Sequence, residues 1–449
     1  MKRSLREFAL ACGGRLHGAD RSYSGVSTDT RTLSKGELFV ALHGPNFNGT
    51  EFVGAAVAAG AAGAVVDSER REAISQIVVG DTQKALEAAS RRWRGTFSIP
   101  VVGVAGSNGK TTVKEMIAAI LSQAGSTLST RGNLNNHIGV PLTLFRLEAE
   151  HRFAVIEMGA NRAGEVAALV DIAKPTIGII TNAGAEHLEG FGSLEGVARA
   201  EGEMVAGLDA GGIAVINADD EFADLWRGLT RAKVVTFGAR EKADFSASGV
   251  RTDVGPQGFV TRFKLTCAAG SADIELQLAG EHNVVNALGA AAAAVSAGAT
   301  LPQVTAGLAT MRAVKGRLQF KLARSGAWII DDSYNANPSS VRAGIDVLAS
   351  LQGRKWLVLG DMAELGDFAA SSHVEIGEYA RERGIEKVFA TGALAALAAK
   401  SFGAAGEWFA DVESMSKALA TSGDASVRLL IKGSRMNRLE RVVAALVGD

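Results

Sequence analysis

A glycine-rich loop between a short apolar strand and a helix constrains this chain more than any other feature. Residues 100–105 (PVVGVA) form a β-branched run, residues 106–112 read GSNGKTT, and a helical pattern follows to about Ala124. Glycines at such a turn let backbone N–H groups approach phosphate oxygens, and the helix N-terminus adds a positive end. We therefore predict a nucleotide-binding loop, although the common G-x-x-x-x-G-K-[ST] spacing fails because position 104 is Val.

Individual residues of this loop have predicted roles in nucleotide binding. Lys110 is expected to contact the β- and γ-phosphates, and the Thr111 hydroxyl is expected to reach Mg²⁺. The predicted nucleotide-binding residues of the loop are Gly106, Ser107, Asn108, Gly109, Lys110, Thr111 and Thr112. The alternative is a plain glycine turn with an exposed lysine, which the flanking strand and helix disfavour. Such a loop indicates ATP or GTP binding without identifying the reaction.

Strands and helices alternate along most of the chain, which indicates an α/β fold with right-handed crossovers and mostly parallel sheets. At about 150 residues per domain, 449 residues correspond to three domains. We predict a small α/β domain at 1–98, a central P-loop domain at 99–312 and a Rossmann-like domain at 313–449. Short antiparallel strands are expected from about Asp244 to Leu278, and a last helix from about Arg435 to Val447.

Charge and cysteine content exclude several classes of protein. The chain carries 47 Lys and Arg against 48 Asp and Glu, whereas a protein that coats nucleic acid would be basic. Cys12 and Cys267 are too few for a disulfide framework. The first residues contain no apolar signal core, and no uncharged apolar run reaches the ~18 residues of a membrane span. We expect a cytoplasmic monomer that neither binds nucleic acid nor inserts into a membrane.

Further motifs follow the loop in an order that resembles the Mur ligases and the folylpolyglutamate synthetases. They are TRGNLNNHIGVP (130–141), IEMGA (156–160), AEHLEGFGS (185–193), GEHNVVNA (280–287), GR (316–317), DDSYNANP (331–338), GDMAELG (360–366) and KGSR (432–435). The resemblance covers all three predicted domains. STDTR (27–31) and FVAL (39–42) are similar to the UDP-binding domain of the Mur ligases, which the folylpolyglutamate enzymes lack.

This resemblance implies an ATP- and Mg²⁺-dependent ligase of peptidoglycan precursor synthesis. DDSYNANP, GDMAELG and HLEGFGS are similar to the branch that joins D-alanyl-D-alanine to UDP-N-acetylmuramoyl-tripeptide, and the DNPR signature of the diaminopimelate-adding branch is absent. In that reaction the tripeptide carboxylate takes the γ-phosphoryl group of ATP, and the dipeptide amine then attacks the acyl phosphate. Whether the third residue of the tripeptide is meso-diaminopimelate or lysine stays open.

The resemblance also implies roles for individual residues. Lys110 would neutralise the γ-phosphate, Thr111 and Glu157 would hold a first Mg²⁺, and His187 a second. The residues implied at the nucleotide outside the loop are Asn283, Asn286, Arg317, Asp332 and Tyr334. The residues implied at the two substrates are Thr28, Asp29, Arg31, Asn133, Asn135, Asn136, Lys432, Ser434 and Arg435.

Several of these roles have structural alternatives that the residues leave open. His187 could be a structural or exposed loop residue, and Lys432, Ser434 and Arg435 could form a C-terminal basic patch. Glu157 ends an apolar strand, which would aim its carboxylate at the crevice beyond the sheet edge, but it could be a surface Glu. Asn283 and Asn286 lie one helical turn apart and present two amides on one face, but they could be an N-cap pair.

The chain departs from the family pattern at two places. Glu201, in VARAEGE (197–203), stands where the family carries a carbamylated lysine, and no Lys occurs from 175 to 232. A Glu with an ordinary pKa near 4.3 is ionised without CO₂, so we predict that Glu201 is a catalytic carboxylate at the second Mg²⁺ rather than a solvated helix residue. Asn48, Gly49 and Thr50 replace a segment that often carries Asp and His, which leaves its UDP contacts open.

Two other functional classes remain possible from the sequence. A P-loop switch protein would need no specific motifs in the third domain, whereas DDSYNANP and KGSR lie there. A catalytically silent scaffold is disfavoured by the intact Lys110, Glu157 and His187.

Overall fold

The structure, a computed structural model, describes residues 3–44, 47–186, 188–255 and 258–447. His187 therefore lies outside the described residues. Three regions follow one another along the chain, each built around a mainly parallel sheet, and this architecture confirms the predicted α/β class. Among the described residues, no helix combines the length and the apolar character needed to cross a bilayer.

The first region carries a five-stranded sheet. Its elements are α1 (Leu5–Cys12), β1 (Arg15–His17), β2 (Val26–Ser27), β3 (Leu38–Val40), β4 (His43–Gly44), β5 (Phe47–Asn48), a 3₁₀ helix (Gly49–Phe52), α2 (Val53–Ala58), β6 (Gly63–Val66), β7 (Gln76–Val78) and α3 (Thr82–Arg94). The strand order is β1-β7-β6-β3-β2, with β1 antiparallel to its neighbour and the other pairs parallel. β4 and β5 pair separately.

A buried guanidinium fixes the first region to the second. Arg3 is 5% exposed and lies over the Trp93 ring, with its guanidinium carbon 4.2 Å from the ring centroid. It donates to the Leu147 carbonyl at 3.0 Å and to Glu148 Oε1 at 2.6 Å. Because a buried charge is tolerated only when it is paired and hydrogen-bonded, these contacts specify how the two regions dock.

The central region begins with a six-stranded sheet. Its elements are β8 (Val101–Ala105), α4 (Lys110–Ser122), β9 (Thr127–Ser129), α5 (Gly139–Leu144), β10 (Phe153–Glu157), α6 (Glu165–Ala173), β11 (Ile177–Ile180), α7 (Leu188–Phe191), α8 (Leu194–Ala206), β12 (Ile213–Asn217), α9 (Ala223–Leu229) and β13 (Lys233–Phe237). The strand order is β13-β12-β11-β8-β10-β9, and every neighbouring pair is parallel. All six carboxyl ends therefore meet at one edge.

An antiparallel sheet and two helices complete the central region. The elements are β14 (Ser246–Gly255), β15 (Gly258–Cys267), β16 (Gly270–Leu276), α10 (Glu281–Ser296) and α11 (Leu301–Ala309). The antiparallel strands were predicted, but β14 and β15 span ten residues each and are not short. Helix α11 was not predicted, although Thr300 and Gln303 form a capping box at its start.

The third region carries a second six-stranded sheet. Its elements are β17 (Gln319–Leu322), β18 (Trp328–Asp332), α12 (Pro338–Ala349), β19 (Arg354–Gly360), a 3₁₀ helix (Gly366–Phe368), α13 (Ala369–Glu382), β20 (Lys387–Thr391), α14 (Ala395–Phe402), β21 (Gly406–Phe409), α15 (Val412–Ser422), β22 (Val427–Lys432), a 3₁₀ helix (Arg435–Asn437) and α16 (Glu440–Val447). The order is β17-β18-β22-β19-β20-β21, with only β17 antiparallel to its neighbour within the described sheet.

The last helix was predicted to begin too early. Residues 435–437 form a 3₁₀ turn, and Arg438 has a left-handed φ of 52°, which an α-helix cannot continue through. The Asn437 amide donates to the Asp361 carbonyl at 2.7 Å, so the turn is tied to the end of β19. α16 therefore starts at Glu440.

Helix α11 packs directly against the helix that follows the phosphate loop, and a glycine makes this approach possible. A Cβ at Gly307 would lie 2.5 Å from Ile120 Cα in α4. We predict that Gly307→Ala lowers the free energy of unfolding by about 1–3 kcal/mol, because two backbones would have to separate. Gly228→Ala in α9 is the matched control, since a Cβ there meets nothing within 4 Å. It should be neutral or stabilise by up to ~1 kcal/mol. Urea denaturation of both variants measures the difference, and equal effects would contradict the packing argument.

Candidate nucleotide and ligation site

A cavity of about 550 Å³ lies where the carboxyl edge of the central sheet faces the third region. The predicted residues that line it are Ser107, Asn108, Gly109, Lys110, Thr111, Thr112, Asn133, Asn135, Asn136, Glu157, Asn283, Asn286, Arg317, Asp332, Tyr334 and Lys432. The predicted residues outside this lining are Thr28, Asp29, Arg31, Gly106, Glu201, Ser434 and Arg435. The structure thus brings together the residues predicted for the nucleotide and separates several predicted for substrates.

The phosphate loop is clamped by the end of the neighbouring strand β11. Gly106 has a φ of 121°, and a Cβ there would lie 2.1 Å from Thr181 Oγ1, so only glycine fits. Thr181 Oγ1 and Asn182 Nδ2 both donate to the Asn108 carbonyl, at 2.7 and 2.9 Å. Thr181 and Asn182 were not predicted as site residues. Their position after a strand adjacent to β8 is the signal that would have found them.

Lys110 points into the loop and is surrounded by oxygens. Its ammonium donates to the Gly106 carbonyl, to the Ser107 carbonyl at 3.0 Å and to Glu186 Oε1 at 3.2 Å. Burial alone would lower the pKa of Lys110, but the nearby carboxylates of Glu186, Glu201 and Glu157 outweigh it and raise the pKa. The lysine therefore stays protonated. Glu186 was not predicted, and its only sequence signal is its place beside His187.

Glu157 is buried, so the surface-residue alternative is wrong. It is 2% exposed, and its Oε1 accepts hydrogen bonds from Thr111 Oγ1 at 3.1 Å and Asn135 Nδ2 at 3.0 Å. Its Oε2 has no hydrogen-bond partner among the described residues. The ammonium of fully buried Lys114 lies 3.9 Å from that oxygen. An unsatisfied buried carboxylate oxygen beside a hydroxyl suits a hard, oxygen-preferring cation.

Within the part of the chain that the structure describes, no three His, Cys, Asp or Glu side chains converge with metal-binding geometry. Mg²⁺ in nucleotide sites usually takes one or two protein ligands, and phosphate and water oxygens complete its coordination.

Glu201 is a buried residue and not a solvated helix residue. It is 2% exposed, and its Oε2 accepts a hydrogen bond from the Gly106 N–H at 2.7 Å. Burial raises the pKa of Glu201 to about 7, while the charge of Lys110 opposes the shift. The ordinary pKa expected from the sequence is therefore wrong, because α8 places this carboxylate beneath the loop.

Helix α10 brings two buried amides to the loop. Its N-cap is Gly280, so the N-cap alternative for Asn283 and Asn286 is wrong. Asn286 Nδ2 donates to Asn283 Oδ1 at 3.2 Å, and Asn283 Nδ2 donates to the Ala279 carbonyl at 2.7 Å. A Cβ at Gly109 would lie 2.6 Å from Asn286 Oδ1, so the helix contacts the loop itself.

The third region contacts the phosphate loop directly. Arg317 Nη2 lies 3.3 Å from Thr111 Oγ1, and the guanidinium stacks over the Tyr334 ring at 4.5 Å. Asn337 Nδ2 donates to Asn108 Oδ1 at 2.9 Å. Asn337 was quoted within a motif but was not predicted as a site residue. These contacts place a positive charge from the third region beside the loop.

The KGSR residues mainly organise the third region. Lys432 is 3% exposed and donates to Asp332 Oδ2 at 2.6 Å. Ser434 Oγ accepts from the Ala363 N–H at 2.8 Å, which joins KGSR to GDMAELG. Arg435 is exposed and pairs with Glu440 at 3.3 Å. The structure therefore does not gather these three side chains around one ligand position.

Three more predicted substrate residues, Asn136, Asp29 and Arg31, have local partners. Asn136 Oδ1 accepts from the Gly139 N–H at 2.9 Å and helps to start α5. Asp29 and Arg31 form an exposed ion pair at 2.6 Å, and the Arg31 hydrogen bonds lower the pKa of Asp29 to about 2. Asn48 Oδ1 accepts from the Thr50 N–H at 2.9 Å and caps the 3₁₀ helix that follows.

Comparisons with known proteins indicate the same family in all three regions of the chain. Residues 22–96 match the catalytic domain of the Mur ligase family, residues 104–294 the Mur ligase middle domain, and residues 316–435 the Mur ligase glutamate ligase domain. The UDP-N-acetylmuramoyl-tripeptide–D-alanyl-D-alanine ligase of Escherichia coli is 44% identical over 447 residues, covering 99% of this chain and 98% of the relative. The Bacillus subtilis ligase of the same description is 33% identical over 462 residues, covering 100% and 99%.

Solved structures agree in fold. A crystal structure of MurF from Acinetobacter baumannii superposes with a TM-score of 0.93 at 34% identity, covering 100% of this chain and 99% of the other. MurF from Thermotoga maritima, solved in complex with ADP, gives a TM-score of 0.82 at 27% identity over 94% and 96% of the two chains. With family domains matched in all three regions and a relative 44% identical along nearly its whole length, this chain belongs to the Mur ligase family.

Proposed function

We propose that this protein is an ATP-dependent ligase that adds D-alanyl-D-alanine to the C-terminal carboxylate of UDP-N-acetylmuramoyl-tripeptide, with ADP and phosphate as products. The observation that carries the proposal is one cavity in which Lys110, Thr111 and Glu157 of the central region meet Arg317 of the third. Relatives described by this reaction span nearly the whole chain. We place the reaction in peptidoglycan precursor synthesis in the cytoplasm, where ATP is available.

The chemistry needs charge neutralisation more than a strong base. A carboxylate becomes an acyl donor when its oxygen takes the γ-phosphoryl group of ATP, and this step brings two anions together. Lys110, kept protonated by its carboxylate neighbours, and Arg317 supply positive charge at that point. An α-amine has a pKa of about 7.7–8.0, so a substantial fraction of the dipeptide amine is neutral at physiological pH.

Mg²⁺ fits the site and would neutralise phosphate charge there when bound. Thr111 and Glu157 would hold one ion, since Glu157 offers a buried oxygen without a hydrogen-bond partner among the described residues. We assign a second ion to His187, with Glu201 in its ionised form supplying negative charge from beneath the loop.

The remaining predicted residues are assigned to the adenosine, the UDP-tripeptide or the dipeptide. Asn283, Asn286, Tyr334 and Asp332 are proposed at the adenosine. The residues proposed at the UDP-tripeptide are Thr28, Asp29, Arg31, Asn133, Asn135 and Asn136. Ser434 and Arg435 are proposed near the dipeptide, whereas Lys432 would have to leave Asp332 to reach it. We propose domains at 1–98, 99–312 and 313–449, and a monomer; within the chain, the central region contacts both the first and the third.

Phosphate release should require both peptide substrates. We predict that ATP is converted to ADP and phosphate rapidly only when UDP-N-acetylmuramoyl-tripeptide and D-alanyl-D-alanine are both present, because the amine is needed to resolve the acyl phosphate. A coupled phosphate assay measures this, with L-alanyl-L-alanine as the control dipeptide. Dipeptide-independent hydrolysis would favour a switch protein, and no release at all would favour a silent scaffold.

Competition between the diaminopimelate and lysine tripeptides would identify the third residue of the tripeptide substrate.

Lys110 should be indispensable for ligation. We predict that Lys110→Ala lowers kcat by on the order of 10³-fold, because the charge beside the transferring phosphoryl group is lost. Lys233→Ala, at an exposed position on β13, is the control and should retain activity. Near-normal turnover of Lys110→Ala at saturating ATP would refute this role.

Glu201 should make the enzyme independent of CO₂. We predict that activity is unchanged by bicarbonate depletion and that Glu201→Gln raises the Mg²⁺ concentration needed for half-maximal rate. The glutamine keeps an oxygen that can accept from the Gly106 N–H, so the variant tests the charge. Glu195→Gln, at a surface pair with Arg199 on the same helix, is the control. Full activity of Glu201→Gln at low Mg²⁺ would assign the charge to another group.

A further inference from the structure

The ammonium of Lys110 has all three of its donors in use. A lysine carries three N–H donors, and here they meet the Gly106 carbonyl, the Ser107 carbonyl and Glu186 Oε1. The two carbonyls belong to the loop and are neutral, whereas the Glu186 carboxylate is an anion. A γ-phosphate oxygen can therefore bind this ammonium only by replacing one of these three acceptors. The Glu186 carboxylate is the acceptor that it would replace, because both are anionic.

The loop that carries Glu186 is anchored so that the carboxylate faces Lys110. The Ala183 N–H donates to Asp220 Oδ2 at 2.9 Å, and the Gly184 N–H donates to Ser107 Oγ at 2.8 Å. The Lys110 and Glu186 side chains are 16% and 11% exposed. An ion pair with so little water is screened far less than a surface pair, so the two charges are strongly coupled.

We propose that Glu186 is a positioning residue that occupies the γ-phosphate's place at Lys110 and is exchanged for the γ-phosphate when ATP binds. The proposal deepens the proposed function and rests on it, because it requires that Lys110 meets a γ-phosphate. The carboxylate holds the ammonium at the cavity wall and compensates its charge. The same carboxylate competes with a bound nucleotide for the Lys110 ammonium. The competition is stronger for ATP than for ADP, because only ATP carries a γ-phosphate.

Removing the charge of Glu186 tests the exchange. The dissociation constants of a non-hydrolysable ATP analogue with an imido β–γ bridge and of ADP are measured by calorimetry for the full-length wild type and for Glu186→Gln, in EDTA and in Mg²⁺. In EDTA the variant should bind the ATP analogue about tenfold more tightly than the wild type. ADP affinity should change much less. Glu186→Asp, which keeps the charge on a shorter arm, should lie between the two.

Controls separate this inference from the proposed function. Glu195→Gln removes a comparable charge from a surface pair and should bind both nucleotides as the wild type does. A wild type that does not bind the ATP analogue would overturn the proposed function itself. If the wild type binds it but Glu186→Gln has equal or weaker affinity in EDTA, the exchange is overturned. If Glu186→Gln binds the ATP analogue more weakly than the wild type only in Mg²⁺, the exchange is also overturned, because Glu186 would then act as a cation ligand.

Discussion

The site is arranged around the positive charge of the Lys110 ammonium, which is largely shielded from water. A lysine in a water-poor position stays charged only if anions compensate its lost hydration. Three carboxylates do so here: Glu157 ends β10, Glu186 follows β11, and Glu201 lies on α8. Because each comes from a different element, the charge state of the lysine depends on the whole central sheet being assembled.

The parallel sheet explains why these groups meet. Carboxyl ends of parallel strands lie at one edge, and the crevice beyond that edge is where such folds bind ligands. In this chain β8 provides the loop, β10 the carboxylate and β11 the clamp of Thr181 and Asn182. The third region adds Arg317 and Asn337 from the opposite side. The first region is held differently, by the buried Arg3 contact away from the cavity.

Motif residues in the third region serve its own structure as much as a ligand. Lys432 pairs with Asp332, which in turn accepts from the Leu318 N–H at 3.1 Å. Ser434 and Asn437 bind the backbone of the GDMAELG loop. A polar motif in the sequence can therefore mark either a ligand site or a hydrogen-bonded structural scaffold. The hydrogen-bond partners of each side chain distinguish these two uses.

The sequence by itself determined the elements and the nucleotide loop, because those depend on short-range patterns. The β-branched run of β8 and the glycines of the loop predicted their places to within about a residue. Helix α11 and the late start of α16 were not predicted. Helix α11 has only nine residues and so a short apolar pattern, and a contact with distant Asp361 shapes the turn before α16.

Only the tertiary structure decided the electrostatics of the site. Glu201 accepts from Gly106, 95 residues away in sequence, and Glu186 reaches Lys110 across 76 residues. Burial raises the pKa of Glu201 to about 7, which no local pattern around an Ala- and Glu-rich helix encodes. Charge pairing and loss of water depend on which distant segments pack together, whereas strand and helix patterns depend on a few consecutive residues.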